Sequence, residues 1–470
     1  IHGRVSQEMF ADLYEGRFAE ESHIGYVTNG VHYPTWAHRK WQQLHRSVFG
    51  ENFGKDSSNP LVWNNINTVA DSDIWQIKQE LRREMMAAVK EMLAEQMRTR
   101  NESPALIEAT VKTLRDDVLT IGFDELSHNY HRYTYRLEPC NPDWTPVEEL
   151  FESDWLRGFN GLPIEDYENS LNTSTLYTHY RLQFPNSNCR PRISGNYRLY
   201  IADDESGDDA VIIELRIVEP LMSVGLSVTT NTDLDHNGRY QQVTMTVNYN
   251  SLRVSNVDEE IRTVVMQNWR EDHARHNIRP NFTNAQGLTW DHNRALIFDA
   301  GNEFHKFEVL DVSHTTMGLD RIEWNGNNYE AWPFTATVRK NYLTDVSAQG
   351  AFVVRNSDNR EVDYTCDYVW VNYELATPYQ GDIYIDGQWT TDSNREHYRM
   401  KYDAQTGSYK ARIMQKQGYY SYQFIDANGN IPPSEGSFFQ TANRYQTFVY
   451  YKGTGARTWR LVGYRALDFR

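Results

Sequence analysis

His273 and His276, three residues apart in EDHARHN beside Asp272, have the residue types of a metal site. A bound ion needs a third protein ligand at a workable spacing, and none follows, so the stretch reads as a solvated polar loop. His128 and His131, at the start of a strand signal, meet the same objection. The acidic neighbours Glu165/Asp166 and Asp203/Asp204 have the composition of a glycosidase pair. Adjacent strand residues point to opposite faces, so such neighbours cannot flank one bond. The sequence holds no Gly-rich phosphate loop, no GxSxG and no HExxH. Cys140, Cys189 and Cys366 cannot all pair, lack CxxC spacing and read as small buried apolar residues. No catalytic residue and no metal ligand is assigned.

The elements that would position any site are of two kinds, and they meet at LTIGFDELSHNY, residues 119–130. Before this stretch the pattern is helical. VSQEMFADLYEG ends at Gly16, and Ala37 to Phe49 stops before Gly50, each glycine a natural C-terminal cap. A long helix opens at Asp71 or Ser72 and runs towards Arg100. It carries Ile74, Ile77, Leu81, Met85, Ala88 and Met92 on one face. Ser103-Pro104 opens another, with Ile107, Thr110, Val111 and Leu114 as its apolar face.

From Asp124 onward short tyrosine-rich segments alternate apolar and polar residues between Pro, Asn, Gly and Asp turns. The expected fold is mainly β: tandem immunoglobulin-like β-sandwiches preceded by an α-helical segment. The expected boundaries are 1–123 helical, 124–219 first sandwich, 220–324 second sandwich, 325–360 connector and 361–470 C-terminal sandwich. In the last region Asp386-Gly387, Thr406-Gly407 and Asn428-Gly429 predict hairpin turns, and GSFFQT is one of seven strand signals.

Charge narrows the partners. The formal net charge is −17, with 14 Lys+Arg and 17 Asp+Glu through Phe123 against 33 and 47 after it. The acidic β part disfavours nucleic acid and anionic lipid. No run approaches the ~18 apolar residues of a membrane helix. The chain opens at Ile1 with no signal peptide in view.

Two resemblances extend this reading. HGRVSQEMFADLYEG, HIGYVTNGVHYPTWAHRKWQQLH and the string up to LTIGF resemble the bacterial α-glucan phosphorylases. In that family the TNGVHxPTW loop lies beside the catalytic cleft, which implies a sugar-site remnant at Asn29, Gly30 and His32. LTIGF should there lead into a basic phosphate-binding segment, and the pyridoxal-phosphate lysine comes later. DELSHNYHRYTYR stands after LTIGF instead, so no phosphorylase chemistry and no cofactor are expected.

HRYTYRLEPCNPDW, DWLRGFNGLPIEDYENSLNTSTLYTHYRLQFPN, SGNYRLYI and EGSFFQTANRYQTFVYYKG…LVGYRALDF resemble the type IX secretion plug-protein family. That implies a non-catalytic, periplasmic, outer-membrane-associated protein of Bacteroidota whose partner is the secretion translocon barrel. Family members carry further strands before the position of Asp124, so an open sheet edge is expected in the first sandwich. Finally, GDIYIDGQWT…GYYSYQF is similar to starch-binding domains. This makes Trp389, Tyr419 and Tyr422 a candidate aromatic surface for glucan, weighed against cross-strand packing.

Overall fold

The computed structural model describes residues 37–50, 62–70, 73–74, 77–78, 80–81, 112–113 and 118–470 apart from 391. The chain forms two compact units, Ile1–Glu95 and Gln96–Arg470. In the first unit the predicted helix is present as Arg39–Phe49, closed by Gly50 at φ 89°. A 3-10 helix covers Val62–Thr68. Residues 73–74, 77–78 and 80–81 are helical, with Ile74, Ile77 and Leu81 half-buried as their spacing requires. Lys40 Nζ lies 2.9 Å from Glu80 Oε2. The expected helix before Gly16, the remainder of the long helix and the start of the helix after Ser103 lie outside the described residues.

The second unit is mainly β, in packed sheets. Its first sandwich begins earlier than Asp124. Lys112–Thr113 is a strand, not the predicted continuation of a helix, and pairs in parallel with Ile217–Val218. LTIGFDE is a full strand, Leu119–Glu125, antiparallel to Thr178–Phe184 through seven residue pairs. The stretch therefore feeds both layers. One sheet runs Lys112–Thr113, Asp209–Val218, Gly195–Asp203, Tyr133–Cys140, Leu162–Pro163; the other runs Leu119–Glu125, Thr178–Phe184, Asp166–Asn169. Alternation sends Leu119 and Ile121 inward against Tyr133, Tyr135, Leu137, Tyr180 and Leu182. The strand expected to be missing is supplied by the very residues assigned to the helical part.

The second sandwich holds Ser223–Thr229, Tyr240–Asn248 and Ile261–Gln267, as their alternation predicts. Its remaining long strands come from the chain's end. Asn443–Tyr451 pairs with Ile261–Gln267, and Arg460–Phe469 pairs with Asn443–Tyr451. The third sandwich is inserted before that return. It starts at His305–Val309, which pairs with Gly418–Asp426. The expected connector contributes Tyr329–Pro333, Ala336–Thr337 and Phe352–Val354 to its sheets. The boundaries at 324 and 361 are thus corrected: local alternation marks strands, whereas partner choice depends on which apolar faces meet. GSFFQT forms no strand and lies in the stretch leading back to Asn443. Val218, Val264, Met266, Phe448, Tyr450 and Leu461 form a further apolar cluster, shared by the first and second sandwiches.

Candidate functional site

The same alternation that fills the first core leaves a polar face on two of its strands. Asp124 on Leu119–Glu125 stands directly opposite His179 on Thr178–Phe184, on the side away from Tyr180 and Leu182. That side meets the third sandwich. His179 Nδ1 is 2.6 Å from Asp124 Oδ1. Lys416 Nζ and the Tyr368 hydroxyl each donate to Asp124 Oδ2 at 2.6 Å. Both Asp124 and Lys416 are more than nine-tenths buried at the side chain.

Around this core stand further contacts between the first and third sandwiches. Arg181 Nε donates to Asp363 Oδ2 at 3.0 Å. Lys416 Nζ lies 4.2 Å over the Tyr177 ring, and the Tyr177 hydroxyl donates to the Cys366 carbonyl at 2.7 Å. The Asp367 carboxylate accepts from the backbone N–H of Ser174 at 2.7 Å and of Thr175 at 3.1 Å. Gly122 is required by close approach, since a Cβ there would stand 2.8 Å from His179 Cε1.

Burial alone would raise the Asp124 carboxyl, but the His179 hydrogen bond and the Lys416 charge outweigh it and hold it below the usual range. Burial pushes the Tyr368 hydroxyl well up, and the Asp124 charge adds to this. The Cys366 thiol is pushed up to about 12, mainly by burial. Cys140, at about 11, and Cys189, at about 12, are raised chiefly by the same cause. All three cysteines are free and buried. Protonated thiols of this kind are poor nucleophiles and act as packing groups.

A second polar seam lies where the inserted sandwich joins the returning chain. His305 Nε2 is 3.1 Å from Glu435 Oε1, and Arg339 pairs with the same carboxylate. Glu303 accepts from the Ser347 hydroxyl at 2.9 Å, the Tyr342 hydroxyl at 3.0 Å and the Ala442 N–H at 3.0 Å. Desolvation holds His305 well below its usual range, and the neighbouring Arg339 charge pushes the same way. The ring is therefore neutral, donating from Nε2 to a carboxylate whose charge Arg339 already balances.

The residues singled out in the sequence stand elsewhere. Asn29, Gly30 and His32 lie outside the described residues. The aromatic set does not form one exposed surface. Tyr422 is 3% exposed within the third core, in contact with Phe307, Tyr373 and Phe424. Trp389 packs against Tyr373, Tyr398 and Tyr420, and its indole N–H donates to the Ser421 carbonyl at 3.0 Å. Tyr419, one residue out of phase with Tyr420 and Tyr422, points to the other face and is half-buried. The alternation of YYSY already separates Tyr419 from Tyr422, and this excludes a shared sugar platform.

His273 approaches the Asn428 carbonyl at 3.3 Å, and His276 lies opposite Val264 on a two-residue strand. His128 meets the Ser170 hydroxyl at 2.9 Å and His131 meets Asp203 at 3.5 Å. Among the described residues no group of three or more His, Cys, Asp or Glu could hold a metal ion. Also among them, no helix is long and apolar enough to cross a membrane. The Asp124 seam was missed in the sequence because its members are 292 residues apart at the widest pair. The one available signal was local: His179 and Arg181 alternate with Tyr180 and Leu182, which marks a second, polar face needing partners.

Comparison with known proteins places these observations. Residues 92–219 match the type 9 secretion system plug protein 1st domain. That span takes in the strands at Lys112–Thr113 and Leu119–Glu125. A hypothetical protein from Parabacteroides merdae, known from a crystal structure, is 31% identical and superposes with a TM-score of 0.73. The match covers 76% of this chain and 93% of that one. A shorter stretch is similar to phosphorylases. Glycogen phosphorylase of Mycobacterium tuberculosis is 35% identical over 143 residues, 30% of this chain and 16% of the relative. That of Aquifex aeolicus is 30% identical over 131 residues, 28% of this chain and 18% of the relative. The chain thus spans less than a fifth of the length of these enzymes. It belongs to the family of the Parabacteroides merdae protein, its first sandwich is a type 9 secretion system plug protein first domain, and it also carries a stretch related to glycogen phosphorylase.

Proposed function

We propose that this chain is a non-catalytic plug of the type 9 secretion translocon, closing the periplasmic side of the outer-membrane pore. The observation that carries this reading is the plug-protein first domain at residues 92–219, set in a chain that keeps the family's fold over 93% of the Parabacteroides merdae relative. A gate that works by shape needs rigidly joined domains and a large surface. A buried ion pair that would be costly to break, Lys416 with Asp124, joins the first and third sandwiches. Specific protein contacts typically bury ~1,200–2,000 Å², which three sandwiches readily offer. The role requires no cofactor, pyridoxal phosphate included.

The phosphorylase-related stretch lacks, by its sequence, the basic segment that should follow LTIGF, and the reading gives it no catalytic part. The test is capture. The tagged chain, presented to detergent-solubilised outer membranes that contain the type 9 translocon, should retain the barrel protein through washes at high salt. Recovery of the barrel no greater than with an unrelated β-sandwich protein would refute the proposal.

A further inference from the structure

Four strands of the second sandwich, side by side in one sheet, hold no charged side chain. They run Ser223–Thr229, Tyr240–Asn248, Gly287–Trp290, Phe282–Asn284, and none contains Asp, Glu, Lys, Arg or His. The chain is 24% charged and carries a net −17, and its other sheets all bear charged residues among the described strands. The adjoining strand Ile297–Asp299 adds one carboxylate, Asp299, which is paired with Arg239 at 2.7 Å. The outermost strand, Ser223–Thr229, has one strand neighbour among the described residues, Tyr240–Asn248, and pairs with it through seven residues without a bulge. Its other edge presents backbone N–H and C=O groups with no strand to receive them.

Alternation turns Ser223, Gly225, Ser227 and Thr229 to solvent and Val224, Leu226 and Val228 towards the core, where they stay only half-buried. On the neighbouring strand Val243, Met245 and Val247 are 2% exposed or less. A further strand laid along Ser223–Thr229 would complete the burial of this outer apolar row. Proteins commonly blunt such edges with short strands, charges or bulges. Among the described residues the other strands at sheet edges are protected in this way. They are four residues long or shorter, or they carry charges, as Leu119–Glu125, His305–Val309, Leu319–Trp324 and Arg460–Phe469 do. Ser223–Thr229 has none of these devices.

The strand's own sequence fits this edge. About a two-fold axis at Leu226, an antiparallel second copy sets Leu226 against Leu226, Val224 against Val228, Ser223 against Thr229 and Gly225 against Ser227. Apolar meets apolar on the core side, and small meets small on the solvent side. Charge selects the same contact and the same orientation. Two copies of net −17 repel, and an uncharged sheet lets them meet without opposing like charges at the contact. The hairpin loop beyond Thr229 holds Asp233 and Asp235. The strand's other end is flanked by Leu221 and Asn250, whose amide bonds the Leu221 carbonyl at 2.9 Å and the Ser223 hydroxyl at 3.1 Å. Antiparallel pairing sets each acidic loop beside that uncharged end, whereas parallel pairing would set the two acidic loops together.

We propose that Ser223–Thr229 is a self-association edge, through which two copies of this chain join their second sandwiches into one continuous sheet. With one such edge per copy, the assembly closes at a dimer. The proposal does not depend on the plug reading. Sedimentation velocity of the full chain, loaded from about 1 to about 100 μM, tests it. The wild type should pass from monomer to dimer and no further. Ser227→Glu and Ser227→Lys, both on the solvent side, each set like charges diagonally across the two-fold axis, about 7–8 Å apart, and each should weaken the dimer at least about tenfold. Mixing the two variants should restore it, a result that misfolding of either would not give. Thr283→Glu, exposed on the strand at the opposite edge of the same sheet, should leave the dimer unchanged. A wild type that is monomeric throughout would overturn the proposal and leave the edge to a strand of a different polypeptide. A dimer that survives both Ser227 variants, that is lost in Thr283→Glu, or that mixing fails to restore would overturn it as well.

Discussion

Between the first and third sandwiches a carboxylate, Asp124, is held charged by His179, Lys416 and Tyr368. Where the third sandwich returns to the second, it is a histidine, His305, that is buried, beside a Glu435 already paired with Arg339. Both seams bury polar groups at domain contacts, yet they respond to acid at different points. A carboxyl held below its ordinary 3.8 contributes stability above that value and loses it as pH falls through the lower folded value. A histidine held well below 6.5 is neutral when folded, while the unfolded chain takes up a proton on descending through 6.5. Stability from that seam is complete above 6.5 and declines as pH falls towards the folded value. Charge pairing therefore makes the first–third contact acid-resistant, and neutral burial makes the second–third contact the one that yields first.

This contrast can be broken most forcefully at Asp124. Asp124→Ala leaves Lys416 buried without its carboxylate and should lower stability by about 3–5 kcal/mol in urea unfolding. Adding Lys416→Met should recover part of that loss, because the uncompensated charge goes with it. A small effect of Asp124→Ala alone would mean that the seam is wet and contributes little. Tyr368→Phe removes one hydrogen bond to the same carboxylate and should cost about 1.5–3 kcal/mol. The pH contrast is smaller still. Between pH 6.5 and 5, unfolding free energy should fall by up to about 1.4 kcal/mol per pH unit. His305→Gln, which cannot be protonated, should flatten that slope while Asp124→Asn leaves it in place.

The two aromatic readings can be separated in the same way. Tyr422→Ala should destabilise the chain by about 3–5 kcal/mol, as for other large buried rings, and amylose retention should be no different from wild type. Incubation with maltodextrin, phosphate and pyridoxal phosphate should yield no glucose 1-phosphate above a heat-treated control.

How far the sequence carried this picture depends on the range of the interaction concerned. Turn chemistry was legible. Thr406-Gly407 joins Lys401–Asp403 to Ser408–Lys416, with Gly407 at φ 67°. Asn428-Gly429 does turn the chain, with Gly429 at φ 79° and its N–H on the Asp426 carbonyl. The strands on either side of it pair with other partners, however, because Asn443–Tyr451 completes the second sandwich. An alternating strand states which side chains face inward but not which sheet receives them. LTIGF shows the same limit: its resemblance assigned it to the helical part, whereas its pairing with Thr178–Phe184 makes it a wall of the first sandwich. The polar faces of His179 and Lys416 were legible only as residues needing partners, since what they meet is set by domain packing.

The most direct measurement of the central claim is the conductance of the type 9 translocon reconstituted in a planar bilayer, with the full chain added on the periplasmic side. The account predicts that conductance falls in a saturable manner with the intact chain and falls less with Asp124→Ala, which weakens the contact between the first and third sandwiches. Conductance unchanged at concentrations that saturate capture of the barrel would contradict the plug reading.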